Sequence, residues 1–170
     1  TLQNLLAEGL SIKNLPKIME AIANNLPKTM DPFILSESVR QALSRQIVND
    51  YLSPDGKLHV VMIDPRIIDR LNKSLMQDDQ EGRILILPHE LRVRIMEAVY
   101  TEHQKALEEN RFLIFVISRY LRQPFAFFLT KELPSRNFAV IASEEIQRGV
   151  ATEISSVLSL PTREEQPQEA

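Results

Sequence analysis

The sequence predicts a small helical subdomain followed by an open α/β subdomain, and three observations carry that prediction. Before Gly56 the apolar residues recur only at helical spacing. After it, short β-branched runs alternate with helical stretches, as in a sheet covered by helices. The change falls on Ser53-Pro54-Asp55-Gly56, a run of turn formers. At 170 residues the chain can bury one ordinary core or two small ones.

The elements are taken in chain order. Leu2, Leu5 and Leu6 predict the last turns of a helix closed by Gly9. Too short to fold alone, residues 1–10 read as the end of an upstream subdomain, docked on it or on the next helices. Asn14 is placed to cap a second helix, with Pro16 in its first turn and Leu15, Ile18, Met19, Ile22 and Leu26 along one face. Asp31 and Pro32 open a third helix, which runs to about Leu52 on Leu35, Val39, Ala42, Leu43 and Ile47. Arg40 and Arg45 stand about 140° apart around it, one on each shoulder of the apolar stripe. One helix can therefore offer charge to two different neighbours.

These segments make a helical subdomain over residues 11–53, and an α/β subdomain over 54–160 comes after it in the order β-α-(β)-α-β-α-β-β. Residues 58–63 form its first strand, and Asp64-Pro65 caps the helix carrying Ile67, Ile68, Leu71 and Leu75. That helix dissolves into a polar loop at 77–82, and 84–87 reads as a brief extended segment. Pro88 opens a long helix to about Asn110. Residues 112–117, nearly all apolar, predict a strand buried on both faces. A helix over 119–133 contains Pro124, which predicts a kink or a late start. Strands at 138–142 and 150–158 complete the sheet, and residues 161–170, rich in Glu, Gln and Pro, predict a disordered tail.

Composition excludes several functions. A net charge of -3 leaves no electrostatic footprint for nucleic acid. The absence of cysteine rules out a disulfide scaffold and a thiolate zinc site. No apolar run approaches the roughly 20 residues needed to span a bilayer. The opening Thr1-Leu2-Gln3, with neither methionine nor signal peptide, reads as a piece of a longer protein.

Catalytic and cofactor chemistry also find no support. His89 and His103 lie about 21 Å apart along one helix, and His59 is on a separate strand, so no metal is expected. The glycines are scattered singly, whereas phosphate-cradling loops need them clustered. The acidic pairs Asp78-Asp79 and Glu144-Glu145 have no nucleophile or base beside them. Ser118 lacks a Gly-x-Ser-x-Gly elbow and reads as a helix cap. No cofactor and no enzymatic activity are expected. The alternative is a small-ligand or nucleotide-binding α/β domain, using the strand ends near Asp64, Ser118 and Glu144. Phe125, Phe127 and Phe128, with Tyr120 before them, are core or docking surface, and they cannot all face one way.

Several runs together resemble one family. They are Leu2-Gln3-Asn4-Leu5-Leu6, Ser11-Ile12-Lys13-Asn14-Leu15-Pro16, Ile18-Met19-Glu20-Ala21-Ile22-Ala23 and Pro27-Lys28-Thr29-Met30-Asp31-Pro32. Val39-Arg40-Gln41-Ala42-Leu43-Ser44-Arg45-Gln46-Ile47 completes the block, and looser matches continue in Ile63-Asp64-Pro65 and Ala142-Ser143-Glu144-Glu145-Ile146. On these the chain resembles the C-terminal part of the cytoplasmic domain of the type III secretion export-gate proteins, the FlhA/SctV family (also LcrD or InvA). The wording at 77–83 and in the phenylalanine-rich helix departs from the family.

The resemblance implies a homo-oligomeric ring, generally a nonamer, on the cytoplasmic face of the bacterial inner membrane. The ring would dock export partners and help to order and gate secretion. It implies contact with the ATPase stalk protein, and with export chaperone–substrate complexes mainly through parts absent here. The membrane would be reached only through the missing N-terminal region. On this reading Glu20, Glu37, Arg40 and Arg45 are candidate contacts between subunits, and Tyr120, Phe125 and Phe128 candidate docking residues. Glu37 and Arg40 could instead merely pair with each other at i,i+3.

Overall fold

A computed structural model describes residues 2–78, 82–133 and 137–160. The helical unit consists of α1 (Leu2–Ala7), α2 (Leu15–Asn25) and α3 (Pro32–Asp50). Gly9 turns the chain after α1 at φ +74°, a conformation that costs a side-chain-bearing residue energy. Asp31 caps α3 through its side chain, accepting from the amides of Phe33 at 2.8 Å and Ile34 at 3.4 Å. Asn14 occupies the cap position of α2 but its side chain makes no capping bond.

Leu5 and Leu10 share one apolar cluster with Ile18, Ala21, Val39, Leu43 and Ile47. The expected upstream remnant thus packs within the helical unit's own core. The α2 stripe is only half covered: Ile18 is buried, whereas Leu15, Met19 and Leu26 are exposed.

Gly56 closes the turn into the second unit, its amide donating to the Ser53 carbonyl at 2.8 Å. That unit comprises β1 (Leu58–Ile63), α4 (Pro65–Lys73), β2 (Leu75–Asp78), β3 (Gly82–Leu85), α5 (His89–Glu108), β4 (Leu113–Ile117), α6 (Arg119–Glu132), β5 (Phe138–Ala142) and β6 (Thr152–Leu158). A 3-10 turn, Ser143–Glu145, comes after β5. Asp64 caps α4 by accepting from the Arg66 amide at 2.8 Å.

The polar stretch after α4 is not a loop. Leu75 leaves the helix, which ends at Lys73, and Leu75–Asp78 pairs antiparallel with Gly82–Leu85. The middle of the expected loop, with Asp79, and the tail 161–170 lie outside the described residues. Pro124 sits within α6, which is assigned as one helix from Arg119 to Glu132.

The described sheet has the order β5-β4-β1-β6, with every pairing parallel. Its two faces follow from the period-2 alternation of side chains. Val61, Ile63, Leu113, Phe115, Ile117 and Val140 point into the larger core with α4, α5 and α6. Leu58, Val60, Ile114, Val116 and Ile141 point the other way, onto Val48 at the end of α3. Ile146 and Val150, in the connection from β5 to β6, pack on that same face. α3 therefore belongs to both units.

Candidate functional site

α3 has two buried faces because successive residues are about 100° apart around a helix. Leu35, Val39, Leu43 and Ile47 are buried on one side, Val39, Leu43 and Ile47 against α1 and α2. Glu37, Arg40, Ser44 and Val48 are buried on the other, towards the α/β unit. On that second face lies a network of charge. Arg40 grips Glu145 with two bonds, Nε to Oε1 at 2.9 Å and Nη2 to Oε2 at 3.1 Å. Its Nη1 donates to Glu8 Oε2 at 2.9 Å. Arg122 of α6 donates from Nη1 to the same Glu8 oxygen at 2.6 Å and from Nη2 to Oε1 at 3.0 Å. Its Nε reaches both oxygens of Glu37, at 2.9 and 3.1 Å.

Glu8 thus bridges two guanidiniums, and the network ties the end of α1, α3, α6 and the turn after β5 into one piece. Bidentate arginine–carboxylate geometry fixes orientation as well as proximity. Arg122 is fully buried, and Glu145, Arg40 and Glu37 are nearly so. Burial pushes the Glu8 carboxyl up, but attraction to Arg122 and then Arg40, with the Arg122 hydrogen bond, holds its pKa below the ordinary carboxylate value. Burial likewise opposes the charge of Arg122, and Glu8 and Glu37 more than reverse it, raising its pKa. Glu8 and Arg122 are therefore both ionised at neutral pH. This arrangement is built for rigidity.

The sequence-predicted residues separate accordingly. Arg40 and Glu37 are not available to another subunit: both are buried within the chain and satisfied by Glu145, Glu8 and Arg122. Nor do they form the alternative i,i+3 pair, because Glu37 is taken by Arg122. Arg45 and Glu20 are exposed. Arg45 borders an open depression with Asn49, Gln147 and Arg148. Phe125 and Phe128 are not docking residues, since both are buried in the larger core, Phe125 edge-on to Phe115. Tyr120 is 57% exposed, and Phe127, not singled out by the spacing, is 38% exposed.

Sequence reasoning missed Glu8, Arg122 and Glu145. Arg122 carried a signal: it lies three and seven residues before Phe125 and Leu129, on the buried side of its helix. Glu8 and Glu145 sit in turns, where no periodicity marks burial.

The strand ends proposed for a ligand are engaged locally. Asp64 pairs with Arg66 at 2.9 Å, and Glu144 accepts from the Arg119 amide at 3.3 Å and the Ser143 hydroxyl at 3.0 Å. Among the described residues no His, Cys, Asp or Glu group is placed to hold a metal ion, and no helix is long and apolar enough to cross a membrane. A cleft of about 350 Å³ does open beside Glu8, between Leu10, Tyr51, Phe112 and Val140.

A model of the FHIPEP family matches residues 1–151. The chain belongs to the FHIPEP family. Among relatives, the flagellar biosynthesis protein FlhA of Yersinia enterocolitica is 29% identical over 149 residues, covering 85% of this chain and 20% of that protein. Protein MxiA of Shigella flexneri is 30% identical over 122 residues, covering 72% and 18%. The fold agrees with two solved structures. Nonameric SctV-C of EPEC superposes with a TM-score of 0.78 at 24% identity, covering 92% of this chain and 46% of that one. The Chlamydia pneumoniae CdsV and CdsO complex gives 0.77 at 20%, covering 93% and 46%. This FHIPEP chain spans about a fifth of the length of its curated relatives and under half of these structures. The expected family and the expected mixture of helices with a parallel sheet are both met.

Proposed function

We propose that this chain is the C-terminal part of an export-gate protein's cytoplasmic domain. It forms a ring at the cytoplasmic face of the inner membrane and acts by docking and ordering export partners, without catalysis. The membership in the FHIPEP family supports the setting, and the nonameric state of SctV-C supports the ring. The observation that carries the reading is the division of labour on α3. Arg40 is consumed inside the chain, whereas Arg45 stands exposed beside Arg148 and Glu20 stands exposed on α2. Of the four charges expected at the subunit boundary, Arg45 and Glu20 are the two left exposed to meet a neighbour.

The stalk protein of the ATPase is the partner assigned to the α/β unit, by analogy with the complex of CdsV and CdsO. Chaperone–substrate complexes engage chiefly segments beyond the described chain. The test places Arg45→Glu and Glu20→Arg in the whole cytoplasmic domain and images the particles. Loss of rings with an unchanged melting temperature supports the reading. Rings of normal size and number from both variants reject these contacts. Removing the α/β unit wholesale would be a poor test of stalk docking, because it strips Arg40 and Glu37 of their partners.

A further inference from the structure

We propose that the open edge of β5 takes an extended peptide segment of a partner protein, added as one more strand inside the cleft beside Glu8. This rests on the docking role assigned above and names the surface and the backbone chemistry of what docks. In a parallel pair, alternate residues of a strand turn both backbone polar groups towards the neighbour, and the residues between turn theirs away. The Asn137 carbonyl accepts from the Leu113 amide at 3.2 Å, so Ala139 and Ile141 also face β4. Phe138, Val140 and Ala142 therefore turn their amides and carbonyls outward, where the described sheet has no further strand.

Two of these outward groups are covered from within the chain. Arg40 Nη2 donates to the Val140 carbonyl at 3.4 Å, and the Ala142 amide donates to Glu145 Oε2 at 2.9 Å. The charge network thus blunts the far end of the edge, as charged side chains do where a sheet must not pair. The Val140 amide and both backbone groups of Phe138 have no partner among the described residues. Val140 is only 5% exposed, and a buried amide without an acceptor is rare in a folded chain. Two donors and an acceptor in a row on a sheet edge are the pattern that another strand's backbone completes.

The surroundings fit a strand and exclude a helix. About 350 Å³ opens along Phe138, Ala139 and Val140. An added strand lies about 4.8 Å from its neighbour, whereas a helix with its side chains is about 10 Å across. Ala126 of α6, Tyr51, Phe112 and Leu10 give the cleft apolar walls. Small or β-branched apolar residues on the incoming strand suit them. Arg40 and Glu8 also border the cleft, and their ion pairs hold its walls in place before anything binds. Arg40 sets where the added strand stops, since the Val140 carbonyl is already taken.

The test titrates acetyl-Thr-Val-Thr-Val-Thr-amide into the isotope-labelled 170-residue chain and follows amide shifts and hydrogen exchange by NMR. Saturable shifts centred on the Phe138 and Val140 amides, with slower exchange of both, support the site. The same peptide methylated at every backbone amide keeps its side chains but loses its donors, and should bind about tenfold or more weakly. Phe138→Pro removes one donor at the first residue of β5, a position where proline is tolerated. It should weaken binding more than Phe138→Ala, which loses the ring and keeps the amide. Should either variant fail to fold, the methylated peptide still decides. Equal binding of the methylated peptide overturns the proposal, as do shifts confined to β6 at the other edge. Protection of both amides in the free chain overturns it too: lost on dilution, it assigns the edge to a second copy, and kept on dilution, to the chain itself. If the stalk protein binds the chain while the peptide moves neither amide, docking stands and the strand site falls. If neither binds, the docking role falls with it.

Discussion

Arg122 of α6 and Glu37 of α3, 85 residues apart in sequence, meet side-on in the interior, with one guanidinium nitrogen within 3.1 Å of both carboxylate oxygens. The pair joins the helical unit to the α/β unit at a place neither could leave open to solvent cheaply. Arg122 has a second carboxylate in Glu8, but Arg122 is the partner that Glu37 has. The two ends of the pair are therefore unequal.

That inequality predicts an order of damage. Arg122→Met leaves Glu37 buried with no cation and should cost about 3–5 kcal/mol. Glu37→Gln leaves Arg122 held by Glu8 and should cost clearly less. The double variant Glu37→Met, Arg122→Met should regain part of the loss, because no uncompensated charge remains at that end. Urea titrations of the three variants check this, and equal losses from both single variants would refute the asymmetry.

Glu8 sets an acid limit on the fold. Its folded pKa lies below the ordinary value of 4.5, held there against the opposing effect of burial by Arg122 and Arg40. The sign comes from linkage: a depressed carboxyl stabilises the folded state above its unfolded pKa and loses that contribution as pH falls through the folded value. Stability should be flat on this account near neutrality and decline below about pH 4.5. Glu8→Gln should lower stability at pH 7 and shrink the difference from the parent as the pH is taken down. Thermal melts at stepped pH measure it, and a difference constant with pH would assign the transition to other groups.

Gly82, at the start of β3, has φ +75°, and a Cβ there would lie 2.6 Å from two ring carbons of Phe33 on α3. Gly82→Ala should therefore destabilise twice over, through a left-handed backbone costing about 1–2 kcal/mol and through displacement of the ring. In a Phe33→Leu background the steric part should diminish and the backbone part remain. Equal costs of Gly82→Ala in the two backgrounds would show that the ring yields freely.

Much of the fold could be read from pattern. β1 and its capped helix, the fully buried β4, and α3 with Asp31 and Pro32 all follow from local chemistry, since period, caps and turns act within a few residues. The hairpin β2–β3 could not be read so. Leu75 and Met76 continue a helical spacing from Leu71, and only pairing with Ile84 and Leu85 draws them into a strand. The charge network was half legible. Two arginines on one helix signalled two neighbours, but the partner of Arg40 comes from 105 residues away, beyond any local window. The phenylalanine run showed that one ring must face outward without saying that it is Phe127.

Arg40 and Arg45 show how one phenotype can have two causes. Arg40→Glu would set a third carboxylate against Glu8 and Glu145 in a buried site, and the chain should lose its cooperative melting transition. Arg45→Glu changes an exposed side chain, where stability effects stay within about 0.5 kcal/mol. Both variants should fail to assemble if rings form as proposed, and a secretion assay alone would score them alike. Circular dichroism melts of the isolated chain separate them: Arg40→Glu without a folded baseline, Arg45→Glu superimposable on the parent. A folded Arg40→Glu chain with a normal transition would mean that the buried network tolerates charge reversal. In that event the assignment of Arg40 to the interior of its own subunit would have to be given up.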